Sequence, residues 1–141
     1  MQITIKGAAE AETRHAIAID EAHRMEAGRA DYLREVASRT GLFVAYADAS
    51  PAGFSCLDQR CFFRRPFLSL LIVHPEHRRK GIGEALLKHA QSEIGGKRLF
   101  TSTNLSNAPM IALLAKCRFV LCGHVAGLDD GDPELVFSKD P

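Results

Sequence analysis

One stretch constrains this chain more than any other. Leu68-Ser69-Leu70-Leu71-Ile72-Val73 is nearly all apolar and stops hard at His74-Pro75, and helical spacing resumes only at Gly81. Such a run belongs to a central strand covered on both faces. The intervening residues include Arg78, Arg79 and Lys80, and the helix that follows places Ile82, Ala85, Leu86, His89, Ala90 and Ile94 on one face before ending at Gly95-Gly96. The first amides of a helix lack internal partners and carry partial positive charge. Gly81 and Gly83 let a ligand reach those amides without a Cβ in the way. Three full positive charges beside them complete a site suited to a pyrophosphate.

The rest of the chain predicts mixed α/β order. Residues 2–6 alternate like a short strand, and Glu10 to about Thr40 reads as two helices. The first shows an apolar face of Ile17, Ile19, Ala22 and Met25, and the second a face of Tyr32, Leu33, Val36 and Ala37. Gly28 lies between them, and Gly41 fits a C-terminal stop. Strands are expected over Leu42–Ala47, from Phe54 to about Gln59 and from Phe62 to Val73, with a turn at Asp48-Ala49-Ser50-Pro51. Leu99–Thr103 reads as a strand and Asn107 to Lys116 as a helix. A last pair, Phe119 to Val125 and Glu134 to Phe137, flanks the turn Asp129-Asp130-Gly131-Asp132-Pro133. The strand–helix–strand crossover should be right-handed, with its two strands parallel.

Other phosphate-binding loops fit poorly. A dinucleotide fold wants its first glycine close to the strand and a third Gly or Ala where Leu86 stands. A nucleotide P-loop needs Gly-Lys-Ser/Thr, yet Lys80 precedes Gly81 and Glu84 follows Gly83. The plain alternative is a solvated basic turn before a glycine-rich helix start. The formal net charge of +1 lacks the large basic excess of nucleic-acid binders. His74, Glu76 and His77 have metal-ligand chemistry, but Pro75 denies His74 and His77 the helix that would bring them together, and no metal is expected. Cys56, Cys61, Cys117 and Cys122 lack zinc-like spacing and read as free thiols, with Cys56 and Cys61 in or near the core. His15, His23 and His89 are given no special role. With no leader-like start and no apolar run near the roughly 20 residues of a membrane helix, a soluble cytoplasmic protein is expected.

At this point the chain resembles the GNAT superfamily of N-acetyltransferases. The family signature Gln/Arg-x-x-Gly-x-Gly/Ala is matched by Arg78, Gly81 and Gly83, and its Val-x-Pro prelude by Val73 and Pro75. Asn107 and Phe119 fit the later Asn…Gly-Phe segment, so that the likeness runs well over residues 42–137 and loosely over the N-terminal helices. It implies a single GNAT-like domain over residues 1–141, of α/β (α+β) class. Its twisted, mostly antiparallel mixed sheet would be split by a parallel strand pair and flanked by about four helices.

By the same resemblance, the strands ending at Val73 and Thr103 splay apart, and acetyl-CoA threads the gap as acyl donor. Ile72 and Val73 would pair with pantetheine through their backbone groups. The amides of Arg79, Lys80, Gly81, Ile82, Gly83 and Glu84 would hold the pyrophosphate beside Arg78, and Asn104 and Asn107 would lie along the thioester arm. The reaction implied is direct acetyl transfer to the primary amine of a small molecule or peptide, with a backbone amide near Val73 polarising the carbonyl.

The sequence also departs from the family pattern. Leu114 stands where many members carry a tyrosine acid, Arg118 replaces the glycine before Phe119, and Phe67 stands where some relatives carry a glutamate. No general acid or base is assigned; Cys117 and His124 are neighbours of the acid position, and Glu76 is a loop residue. The loss of the tyrosine also motivates an alternative, a non-catalytic acyl-CoA-binding module of the same fold. Asp129, Asp130, Asp132 and Glu134 could attract a cationic amine or simply serve the turn. No nucleic-acid or membrane partner is expected. A homodimer through strand edges or the tail hairpin is possible, and nothing in the sequence selects it.

Overall fold

The computed structural model describes residues 1–24 and 29–141, which leaves Met25 and Gly28 of the expected helical segment outside the described residues. The strands are β1 (Ile3–Gly7), β2 (Leu42–Ala47), β3 (Ser50–Asp58), β4 (Phe67–Val73), β5 (Leu99–Asn104), β6 (Val120–Val125) and β7 (Glu134–Lys139). They form one sheet in the order β1-β2-β3-β4-β5-β7-β6. All neighbours are antiparallel except β4 and β5, the parallel pair expected from the crossover. Helices α1 (Glu10–Arg24) and α2 (Arg29–Ser38) cover one face, where Ala16, Ile19, Leu33 and Val36 pack on Val44, Phe54 and Cys56. Helices α3 (Ile82–Ser92) and α4 (Ala108–Lys116) cover the other, with Leu87 and Leu114 packed on Leu68, Leu99 and Phe137. No helix among the described residues is long and apolar enough to cross a membrane.

Several local expectations are corrected. On α1 the buried side chains are Ala16, Ile19 and Asp20, whereas Ala22 is exposed. An acid takes a core-facing position because Arg29 of α2 pairs with it at 3.2 Å, which apolar periodicity cannot register. Thr40, not Gly41, adopts the left-handed conformation after α2 (φ 61°). Gly41 is required by contact instead, since a Cβ there would lie 2.2 Å from the Leu57 carbonyl oxygen. β3 begins at Ser50, earlier than its apolar pattern suggests. Pro51 is tolerated beside a register irregularity, where Gly53 opposes Ala45 and Pro51 opposes Tyr46. Residues 62–66 form a turn rather than a strand: Phe63 and Arg64 have positive φ and Arg65 N–H closes on the Phe62 carbonyl. Their strand-like look comes from Phe62, whose ring stacks on Phe67 at 4.8 Å. Cys61 is exposed in the same region, not near-core.

β4 is central yet only Leu68 is fully buried along it. Residues 68–73 border a cleft on the β5 side, and the β3 ladder carries a bulge. Leu57 pairs with Leu68 and Cys56 with Leu70, so Ser69 is an extra residue facing no partner on β3. The pairing with β5 is confined to Phe67 with Phe100 and Leu68 with Thr101, and ends at that point. There the Leu68 carbonyl accepts the Thr101 hydroxyl at 2.8 Å, so a side chain caps the ladder.

A buried clamp holds the bulge. Ser69 Oγ shares a hydrogen bond of 2.5 Å with the Tyr32 hydroxyl, which donates to Asp58 Oδ2 at 2.9 Å. Burial alone would raise the Asp58 pKa. Hydrogen bonds from the Arg60 amide, the Tyr32 hydroxyl and the Cys61 amide, with the Arg39 charge, more than offset that and hold it below its ordinary 3.8.

Gly81 and Gly83 at the start of α3 are glycines for different reasons. Gly81 sits at φ 82° and a Cβ there would make only an ordinary contact with Ile3 Cδ1 at 3.9 Å, whereas a Cβ on Gly83 would come 2.9 Å from Leu113 Cδ2 of α4.

Two expectations follow from this packing. Tyr32→Phe should cost about 1–3 kcal/mol in urea denaturation by stranding Asp58 and Ser69. A depressed carboxylate pKa contributes stability above its unfolded value that is lost as pH falls through the folded one. The substitution lifts the Asp58 pKa toward ordinary, and acid unfolding should move to higher pH. Gly81→Ala should cost about 1–2 kcal/mol through left-handed strain. Gly83→Ala should cost less than about 1 kcal/mol, because the end of a partly buried leucine can yield. The reverse order would contradict this account of the two glycines.

Candidate active site

Past Leu68 and Thr101, β4 has no strand partner on its β5 side. Alternation decides which backbone groups it offers there. The His74 amide donates to the Ala52 carbonyl on the β3 side, so Ile72 also faces β3 while Leu71 and Val73 face the gap. Gly53 agrees, since a Cβ on it would meet the Ile72 carbonyl oxygen at 2.8 Å. Of the two expected backbone donors, Val73 therefore faces the gap and Ile72 borders it without presenting its amide. Leu71, not anticipated from sequence, takes the second place.

The gap opens into a cleft of about 830 Å³, a size suited to a cofactor-scale molecule. Val73, Arg78, Arg79, Gly81, Ile82, Gly83 and Glu84 border one side, with Asn104 and Asn107 opposite. Exposed Lys80 is the one residue of the basic loop segment 78–84 outside this border. The 3-10 turn Pro75–His77 and the left-handed Arg79 (φ 62°) and Gly81 swing the chain into α3. No side chain caps α3, and Ala85 N–H bonds back to Gly81 O at 3.0 Å. The amides of Ile82, Gly83 and Glu84 are thus the open, positively polarised helix end.

Charge is arranged around that end. Arg78 donates to His23 Nδ1 at 2.9 Å, tying the loop to α1. Glu84 would oppose an anion, but Lys88 and Lys116 each approach it to 3.2 Å. Hydrogen bonds from Lys116 and Lys88, aided by their charges, hold its carboxyl below the usual carboxylate range. Lys116 and Arg29 also border the cleft and had no readable sequence motif.

Asn104 and Asn107 border the cleft while serving local structure. Asn104 donates to Asp129 at 2.9 Å and to the Asp132 carbonyl, and Asn107 caps α4 through Met110 N–H at 3.3 Å. The tail acids are largely engaged in the same way: Asp132 accepts from the Ser106 amide and hydroxyl, and Glu134 from the Ser102 hydroxyl at 2.7 Å.

Leu114 is fully buried in the core, burial pushes the Cys117 thiol up, and His124 is exposed on the edge strand β6. His74 spends its ring nitrogen on the Glu76 amide at 3.1 Å. Among the described residues no group of three or more His, Cys, Asp or Glu is placed to hold a metal ion.

Residues 8–119 match the family described as Acetyltransferase (GNAT) family. The chain is similar to streptothricin acetyltransferase of Streptomyces lavendulae, 34% identical over 97 residues, which cover 67% of this chain and 51% of that protein. It therefore spans about half the length of that curated relative. Its fold is similar to that of a GNAT-family acetyltransferase from Bacillus cereus, with a TM-score of 0.93, 30% identity and coverage of 99% of this chain and 98% of that one. The structure of YncA from Salmonella typhimurium with its cofactor acetyl-CoA superposes with a TM-score of 0.77 at 20% identity, covering 99% and 94% of the two chains. With a strand pair that parts beside an uncapped, basic-flanked helix end, the chain belongs to the GNAT acetyltransferase family.

Proposed function

We propose that residues 1–141 work as one cytoplasmic domain, an acetyl-CoA-dependent N-acetyltransferase acting by direct transfer on the primary amine of a small molecule or peptide. The observation that carries this reading is the early end of β4–β5 pairing, which leaves the Leu71 and Val73 backbone groups facing a cleft that leads to the α3 amides. Bound acetyl-CoA supplies the activated acetyl thioester. Val73 and Leu71 would pair with its pantetheine arm, with Ile72 in the adjoining wall. The amides from Arg79 to Glu84, including Lys80, Gly81, Ile82 and Gly83, would hold the pyrophosphate. Arg78, Arg79 and Lys80 add charge to that end of the cleft, and Lys116 offsets Glu84. Asn104 and Asn107 would flank the arm near the acetyl group. No metal is required for transfer.

The acetyl-CoA in YncA and the acceptor in the name of the Streptomyces relative support this choice of donor and of an amine acceptor. Orientation of the two reactants in such a cleft can supply on the order of 7–11 kcal/mol. Burial of Leu114 favours a second reading, an acyl-CoA-binding module without transfer, because no side chain at that position can donate a proton.

Calorimetric titration of acetyl-CoA tests the first claim. The wild type should bind in the micromolar range, and an Arg79→Glu, Gly81→Asp double variant that keeps its far-ultraviolet circular dichroism should lose binding. Absence of wild-type binding would remove the donor assignment, and binding with no acetylation of any primary amine would select the module.

A further inference from the structure

The acids of the tail differ in what they are free to do. Asp129 is held by Asn104 and Asp132 by Ser106, while Asp130 is exposed and away from the cleft. Glu134 alone of the four borders the cleft. Among the described residues the carboxylates on that border are Glu84 and Glu134, and Glu84 is neutralised by two lysines. Among the described residues, an amine entering the cleft therefore meets one carboxylate without a cationic partner, Glu134.

Its placement in the sheet adds direction. Leu99, Leu135 and Phe137 pack with Leu114, on the face that carries α3 and α4. Side chains alternate, so Ser102 on β5 and Glu134 on β7 point to the opposite face. The open end of α3, with Lys116, therefore lies on one side of the parted strands and Glu134 on the other. From the Glu134 side, His23 of α1, bonded to Arg78, and Arg29 of α2, paired with Asp20, also border the cleft. The Ser102 hydroxyl holds Glu134 Oε2 at 2.7 Å, which fixes the side chain and leaves Oε1 as an acceptor.

Resting on the transfer reading above, we propose that Glu134 is the proton acceptor for the acceptor amine, with Ser102 as its positioning residue. The arriving ammonium first gives one proton to solvent; the neutral amine nitrogen then attacks the thioester carbonyl carbon and becomes acidic as the N–C bond forms. Glu134 Oε1 takes that proton while the C–S bond breaks and coenzyme A leaves as thiolate. Solvent then protonates the thiolate and receives the proton held by Glu134. The same negative charge selects acceptors that arrive as ammonium ions over neutral or acidic ones.

The test uses the whole chain at saturating acetyl-CoA with streptothricin, spermidine, L-lysine and N-acetyl-L-glutamine amide as probes, with products read by mass spectrometry. The wild type should acetylate at least one cationic amine. Glu134→Gln, isosteric and still able to bond Ser102, should lower kcat by roughly 100-fold or more. Its acetyl-CoA Kd by calorimetry should stay within about twofold, because the variant leaves the cofactor half of the cleft intact. Ser102→Ala should reduce kcat/KM by about 3- to 10-fold with the same acetyl-CoA affinity. Acetyl-CoA binding with undiminished Glu134→Gln turnover, or with no cationic probe acetylated, would overturn the assignment and leave the donor site standing. Failure of the wild type to bind acetyl-CoA would overturn both.

Discussion

Everything in the cleft depends on how soon two parallel strands stop pairing. β4 and β5 share only the positions Phe67 with Phe100 and Leu68 with Thr101. A strand that loses its partner in mid-sheet exposes amides and carbonyls that must find another partner or cost free energy. Here the interruption is built in from the other side, by the extra residue Ser69 in the β3 ladder, which bends β4 away. Ser69 is secured by Tyr32 and Asp58, side chains from α2 and the end of β3. The opening is thus a property of three packed elements, and its geometry does not wait for a ligand.

That opening divides the work between the sheet faces. On the α3 face, an uncapped helix end sits beside a carboxylate already matched by lysines. Partial and full charges of one sign converge there, which favours a polyanion. The opposite face carries the Glu134 carboxylate at the cleft border, anchored by Ser102. A polarised helix end and an anchored carboxylate thus stand on opposite sides of the parted strands.

The α3 side of the cleft was legible because it is local. From Leu68 to Glu84 the apolar run, the stop, the basic loop and the glycines stand in one segment, and each obeys a rule of short range. What the segment does not state is direction: only the Ala52–His74 bond reveals that Val73 and Leu71, rather than Ile72, face the gap. Element order was also legible, and the errors have physical sources. Asp20 interrupts the periodicity of α1 because Arg29 accompanies it into the interior. Phe62 mimics a strand residue because aromatic stacking draws an exposed turn against β4. Gly41 does take part in the α2 stop, its amide bonding the Val36 carbonyl, but it must be glycine because the start of β2 passes too close to Leu57 for any side chain.

The β7 side of the cleft was not legible, and the topology says why. β7 inserts between β5 and β6, so residue 134 lies next to residue 104 in the register and its side chain reaches residue 102. Arg29 and His23 reach the same cleft from the far end of the sequence. No spacing rule links these positions, because what joins them is sheet order and long-range hydrogen bonds. The two halves therefore answer to different constraints. Changes in the β3 ladder or the α3 start alter the opening itself and disturb both. A change at residue 102 or 134 leaves the bulge, the helix end and the basic loop with their own contacts. A fold arranged this way can hold the opening fixed while the residues on its β7 side vary.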